Sequence, residues 1–271
     1  MYVQANGIRM WVDRAGSGPA IVFMHGLTQD HTLFDAQRDA FSKSYTFIAY
    51  DIRGYGRTDR AYEPPYDLDL LVADLRALLT TMGITRAILV GFSLGGLISQ
   101  QFAIRHPSMV AALVIVDAVG QFSPESRAMF TERARIVETQ GTQSLADGML
   151  SRWFTPEFHA KNPARIAGFR EQILANDPAT VAATCRIAVN LNLLDQLPAI
   201  AAPTFVLVGE HDRGNPLPKA REIQERIPGA ELAVIPGAAH TGPVEQPETF
   251  NRLVLAFLDR AGVQAREPRI P

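Results

Sequence analysis

The chain has 271 residues, enough to bury one large core, and its 47% hydrophobic and 20% charged residues are an ordinary balance with no sign of disorder. A formal net charge of -2 offers no electrostatic pull toward nucleic acid or an anionic membrane surface. The single cysteine, Cys185, excludes an internal disulfide framework and a cysteine metal cluster, and reads as a small packed apolar side chain.

The start, Met1-Tyr2-Val3-Gln4-Ala5-Asn6-Gly7, lacks the basic residues and apolar run of a secretion signal. No uncharged apolar stretch reaches the roughly 18–20 residues of a membrane helix, so the expectation is a cytoplasmic protein. Residues 1–4 and 8–14 flank Asn6-Gly7 and read as an antiparallel hairpin. Short apolar runs then recur at 20–24, 45–50, 87–90, 113–116, 204–208 and 232–235, most followed by a Gly or Asp turn and a helical pattern. Runs of this length read as strands buried on both faces, the mark of a parallel sheet. Between two of them, Leu68, Leu71, Val72, Leu75, Leu78 and Leu79 repeat at three and four residues, one apolar helix face that Gly83 ends. The alternation predicts a doubly wound α/β sheet, mostly parallel, with helices on both sides.

The alternation breaks once, from 121 to 197, where no strand pattern occurs. Amphipathic helical stretches are predicted near 124–140, 144–154, 163–175 and 178–194, three opened by a proline and one by a serine. This divides the chain into a core, residues 1–120 and 198–271, and a helical cap, residues 121–197, laid over the C-terminal edge of the sheet. There is no internal repeat, and only the tail Arg266-Glu267-Pro268-Arg269-Ile270-Pro271 reads as loose.

Gly91-Phe92-Ser93-Leu94-Gly95 fits G-x-S-x-G and, unlike a chance match, lies between a strand and a helix ended by Pro107. Glycines two before and two after the serine permit a turn so tight that side chains there would collide. Ser93 would then stand exposed at a helix N-terminus, where N–H groups and the helix dipole favour a developing oxyanion. His25-Gly26-Leu27 leaves the first strong strand, and Gly26 would let the Leu27 N–H join the Leu94 N–H as an oxyanion hole. His25 reads as a structural hydrogen-bonding residue of that loop rather than a base. The glycine-rich loop from Asp51 to Asp59 lacks a phosphate-loop lysine and reads as structural, with Asp51 and Arg53 tying loops together.

A serine needs a histidine to take its proton, and the histidine an acid to hold its tautomer. Asp212, in Gly209-Glu210-His211-Asp212, and His240, in Pro236-Gly237-Ala238-Ala239-His240, each follow a late strand, in the order serine, acid, histidine. Glu210 and Asp117 are rivals for the acid, with Asp212 favoured. His31, His106, His159 and His211 read as surface or packing residues. The helix after His240 is predicted over 245–260.

Taken in order, His25-Gly26-Leu27, the Asp51–Asp59 loop, Gly91 to Gly96, Gly209 to Asp212, and Gly237 to His240 with Glu245-Gln246-Pro247 resemble the α/β-hydrolase superfamily over nearly the whole chain. They look most like the small capped branch with 3-oxoadipate enol-lactonases, haloperoxidase-like esterases, meta-cleavage-product hydrolases and N-acyl homoserine lactonases. The resemblance implies an eight-stranded sheet with the cap after the sixth strand, and a hydrolase of small-molecule esters or lactones that needs no cofactor and no metal. Relatives that dehalogenate or open epoxides carry an aspartate where this chain has Ser93, which disfavours those chemistries. Leu27 replaces the glycine of a longer lipase motif, which fits a smaller site. Phe122, Met129, Phe130, Trp153, Phe154 and Phe158 would supply the cap's apolar ligand surface, or else pack the cap onto the core. C–C bond hydrolysis of vinylogous diketones is the alternative and would need Arg127, Arg133 or Arg186 for a carboxylate. A ligand receptor on the same fold is the alternative from another class.

Overall fold

Asn6 and Gly7 both take positive φ, 46° and 79°, as a two-residue hairpin turn requires. They join β1 (Tyr2–Ala5) to β2 (Ile8–Ala15), antiparallel, with Ala5 opposite Ile8. The computed structural model describes residues 1–60 and 66–263, so the tail from Arg266 lies outside the described residues. Behind the hairpin come β3 (Ala20–Met24), β4 (Thr46–Tyr50), β5 (Ala87–Phe92), β6 (Val110–Val116), β7 (Thr204–Gly209) and β8 (Glu231–Ile235). They form one eight-stranded sheet in the order β1-β2-β4-β3-β5-β6-β7-β8. β2 runs antiparallel to β4, and every later pair is parallel. The apolar runs explain this: Ile21 to Met24 and Leu113 to Val116 are wholly buried, which only a sheet covered on both faces allows.

The helices of the core are α1 (Asp35–Phe41), α2 (Leu68–Thr81), α3 (Leu94–Arg105), α9 (Leu217–Arg226), α10 (Gly242–Glu245) and α11 (Pro247–Arg260). They flank the sheet in two groups: α1 packs with α11, and α2 with α3. Between β6 and β7 the chain makes α4 (Pro124–Gln140), α5 (Gln143–Trp153), α6 (Pro156–Lys161), α7 (Pro163–Ala175) and α8 (Pro178–Asn190). An isolated bridge, Gln121 to Asn192, pins the two ends of this helical insertion together. α4 lies along α8 and α5 along α7. Among the described residues no helix is long and apolar enough to cross a membrane. Cys185 is buried on α8, and burial pushes its thiol up to about 11, so it packs rather than reacts.

Three elements differ from the sequence reading. α1 and α6, of seven and six residues, are too short for an apolar period to show. The helix predicted over 245–260 is broken at Gln246, because Pro247 bars the residue before it from helical backbone; Gln246 sits at φ -134°, ψ 58°.

The strand order opens a crevice at the C-terminal edge of the sheet. β3 connects outward to β4 on one side, and β5 connects outward to β6 on the other. Their C-terminal loops diverge and leave a crevice between them, the switch point where ligands bind in such sheets. The Asp51–Asp59 loop below it is held by a buried ion pair: Arg53 Nε donates to Asp74 Oδ2 at 2.7 Å and Nη2 to Oδ1 at 2.5 Å. Asp74→Ala would strand that guanidinium, only 6% exposed, without a carboxylate. The expected cost is about 3–5 kcal/mol, read as a fall in Tm on the order of 10 °C. A fall of a degree or two would show that solvent reaches the pair.

Candidate active site

Ser93 opens α3 with φ 51° and ψ -109°, a backbone conformation rare for a side-chain-bearing residue. The crowding that forces this is plain at its neighbours. A Cβ on Gly91 would lie 2.3 Å from the Gly95 carbonyl oxygen, and one on Gly95 would lie 2.2 Å from that of Met24. Thr28 and Asp117, on the loops after β3 and β6, also have positive φ, 63° and 47°. Three of the four non-glycine residues with positive φ among those described therefore surround one crevice.

The His25-Gly26-Leu27 loop is fixed from within. Both ring nitrogens of buried His25 are committed: Nδ1 lies 2.8 Å from the Gly26 carbonyl, and Nε2 accepts from the Ile52 N–H at 2.9 Å. Burial pushes the ring's pKa down, so it stays neutral in the accepting form. Gly26 N–H donates to Gln29 Oε1, and Gly95 N–H to the His25 carbonyl. The Leu27 and Leu94 N–H groups, in contrast, donate to no acceptor among the described residues. Leu27 is half-buried, Leu94 is buried, and both line the cavity that contains Ser93.

Asp212 and His240 follow β7 and β8. His240 Nδ1 lies 2.8 Å from Asp212 Oδ2, and Asp212 Oδ1 accepts from the N–H groups of Gly214 at 2.8 Å and Asn215 at 3.0 Å. Burial opposes the Asp212 charge. The His240 partner and the two backbone donors outweigh it and hold the carboxyl below its ordinary range. An ionised carboxylate only accepts, so the Nδ1 proton stays on His240 and Nε2 keeps its lone pair. Glu245 braces the loop, with Oε2 accepting from Ala239 N–H at 2.6 Å and Oε1 from Thr155 N–H at 2.7 Å, which ties it to the insertion.

Glu210 and Asp117, the other two carboxyl candidates, have different surroundings. Glu210 is exposed and accepts from the Gly237 N–H at 2.9 Å. Asp117 is buried beside Asp212: Oδ1 accepts from Gly209 N–H at 2.7 Å, and Oδ2 has no hydrogen-bond partner in good geometry among the described residues. Burial, then the Asp212 charge, drives its pKa well above the carboxylate range, so Asp117 is the neutral member of the pair. His31 is bound to Asp51 through Nδ1 at 2.7 Å and to the Trp11 indole, off the cavity wall.

Ser93, His240, Asp212, Leu27 and Leu94 line one cavity of about 100 Å³ at the C-terminal edge of the sheet. Both Ser93 and His240 line it, and no hydrogen bond joins their side chains, as is common before substrate binds. Of the apolar residues expected from the cap, Phe122, Met129, Phe130 and Trp153 are on the wall. Phe154 and Phe158 are not: their rings stack on each other, centroids 5.0 Å apart, and Phe154 also packs on Phe169 inside the insertion. Of the three arginines considered, Arg127 donates to the Phe122 and Leu191 carbonyls, Arg186 pairs with Glu138, and Arg133 lines the cavity. Gln29, Arg152 and Asn215 also line it and were not singled out from sequence. Asn215 had a signal, since Asp-x-Gly-Asn is a side-chain-capped turn. A larger groove of about 610 Å³ between α7 and the core loops shares Gln29 with the cavity but holds none of Ser93, Asp212 and His240.

Residues 19–247 match the family profile described as the alpha/beta hydrolase fold. The chain is 29% identical over 242 residues to 3-oxoadipate enol-lactonase 2 of Acinetobacter baylyi, covering 89% of each chain. It superposes on the enol-lactonase of Burkholderia xenovorans LB400 with a TM-score of 0.91 at 29% identity, covering 96% of this chain and 100% of that one. A thermophilic esterase from Thermogutta terrifontis gives a TM-score of 0.90 at 27% identity, covering 96% and 99%.

Proposed function

This chain belongs to the alpha/beta hydrolase fold family and is a hydrolase of the ester and lactone kind, and we propose that it works through an acyl-enzyme on Ser93. One observation carries this reading: a strained serine, two N–H groups with no acceptor among the described residues and an aspartate-held histidine line a single cavity. His240 Nε2 takes the Ser93 proton as Oγ attacks the carbonyl, and the Leu27 and Leu94 N–H groups hold the oxyanion. Asp212 keeps the imidazole oriented and stabilises its positive charge. His240 then gives the proton to the departing alkoxide, or to the lactone's own ring oxygen. Water, deprotonated by the same histidine, releases the acid and restores Ser93.

Residues 121–197 act in this reading as a cap that closes the cavity over the sheet edge. The cavity, at about 100 Å³, is smaller than the roughly 300 Å³ at which pockets for drug-sized ligands begin. It suits a compact ester or lactone and disfavours a lactone with a long acyl chain. A panel of p-nitrophenyl acetate, butyrate and octanoate with simple γ- and δ-lactones tests this. Turnover should be highest on the short esters and small lactones and fall steeply at octanoate. Octanoate turned over as fast as butyrate would contradict the size reading, and cleavage of a vinylogous diketone with no ester turnover would replace it with C–C hydrolysis.

A further inference from the structure

Arg133 on α4 and Arg152 on α5 both line the cavity, and among the described residues neither pairs with a carboxylate. Elsewhere in the insertion Arg135, Arg170 and Arg186 pair with Glu132, Asp147 and Glu138, and Arg127 donates to two backbone carbonyls. The guanidiniums of Arg133 and Arg152 converge on a single sulfur: Met129 Sδ is 3.8 Å from Arg133 Nη2 and 3.5 Å from Arg152 Nη1. A thioether is a weak acceptor and neutralises neither charge. The Arg133 guanidinium also stands 4.8 Å from the centroid of the Phe130 ring. Burial first, and the Arg152 charge second, push the Arg133 pKa down to about 10, which leaves it protonated at neutral pH. The carboxylate whose field reaches Arg152 is Asp212, already committed to His240 and two backbone donors.

Two like charges set side by side in an apolar wall weaken the fold unless an anion joins them. We infer that Arg133 and Arg152 form the anion-binding end of the substrate cavity, and that the substrate is an ester or lactone carrying a carboxylate. The inference rests on the ester and lactone reading above. A carboxylate is planar and offers two oxygens to two guanidinium forks, the pairing for which arginine is suited over lysine. With the scissile carbonyl at Ser93, on the sheet edge, the charged end reaches the insertion. Anion recognition and closure of the cavity thus fall to the same two helices, α4 and α5.

The test compares charged and neutral esters of matched length, once with the charge on the acyl side and once on the alcohol side. The pairs are p-nitrophenyl hydrogen glutarate against p-nitrophenyl pentanoate, and 3-acetoxypropanoate against propyl acetate. In the unaltered chain kcat/KM should favour the charged member of at least one pair by about tenfold or more, and the Arg133→Gln/Arg152→Gln variant should bring that ratio to about one. No preference in the unaltered chain, or a ratio that survives both substitutions, overturns the inference while leaving ester hydrolysis standing. A second measurement needs no turnover. Glutarate should raise the Tm of the Ser93→Ala chain, and should not raise it once either Arg133→Gln or Arg152→Gln is added. An equal shift in all of these chains, or none in any, also overturns the inference. Absence of any ester or lactone turnover would instead contradict the proposed function.

Discussion

Ser93→Ala is expected to lower kcat for ester hydrolysis by at least about 10⁴-fold with little change in Tm, because the nucleophile and the fold make separate demands on this position. The Ser93 hydroxyl makes no hydrogen bond among the described residues, and alanine meets the same backbone strain that serine already bears at φ 51°. What is lost is the covalent route. The Leu27 and Leu94 N–H groups and the cavity walls remain, so a residual rate above that in water should persist from oxyanion stabilisation and binding. Circular dichroism and Tm with the steady-state rates check this. A variant retaining a tenth of the activity would mean that another group attacks the carbonyl, or that water does so directly.

Asp212→Asn should cost about 10³–10⁴-fold in kcat, and Asp117→Asn less than about tenfold. The contrast follows from which carboxyl is charged. Asp212 is the ionised acceptor of the His240 Nδ1 proton, and asparagine there admits the wrong tautomer, with the proton on Nε2 and the base disabled. Asp117 is the neutral one. An asparagine there is likewise uncharged, and its oxygen can accept from Gly209 N–H, as Asp117 Oδ1 does at 2.7 Å. The separation matters because a carboxyl oxygen of Asp117, one of Asp212 and a ring nitrogen of His240 lie within 4.8 Å of one another. Equal losses in the two variants would show that the pair shares its proton and acts as one acid.

Much of this was legible before any coordinates. The Asn6-Gly7 turn, the apolar runs and the glycine-flanked serine are local signals, and each fixes backbone within a few residues. Asp212 and His240 could be placed because both are short loops that leave a strand on the same edge of the sheet. Side-chain direction within the insertion was not legible. Phe154 and Phe158 have the composition of a ligand wall, but α6 and α7 fold back and take those rings into the insertion's own packing. Arg152 was hidden for the opposite reason. It reads as a solvated charge, yet it follows Met149 by three residues, on the side of α5 that turns toward the cavity. Asp117 looked like a rival acid in sequence because a carboxylate after a strand is a chemical type. Its neutrality depends on Asp212 lying beside it, and no local pattern carries that.

The most direct measurement is intact and peptide mass spectrometry of the chain after reaction with a small p-nitrophenyl phosphonate. If Ser93 is the nucleophile, one phosphonyl group should add per chain with release of p-nitrophenol, on the peptide containing Ser93, and ester turnover should fall in step with its occupancy. Label on another residue, or complete labelling of Ser93 with turnover unimpaired, would contradict the assignment.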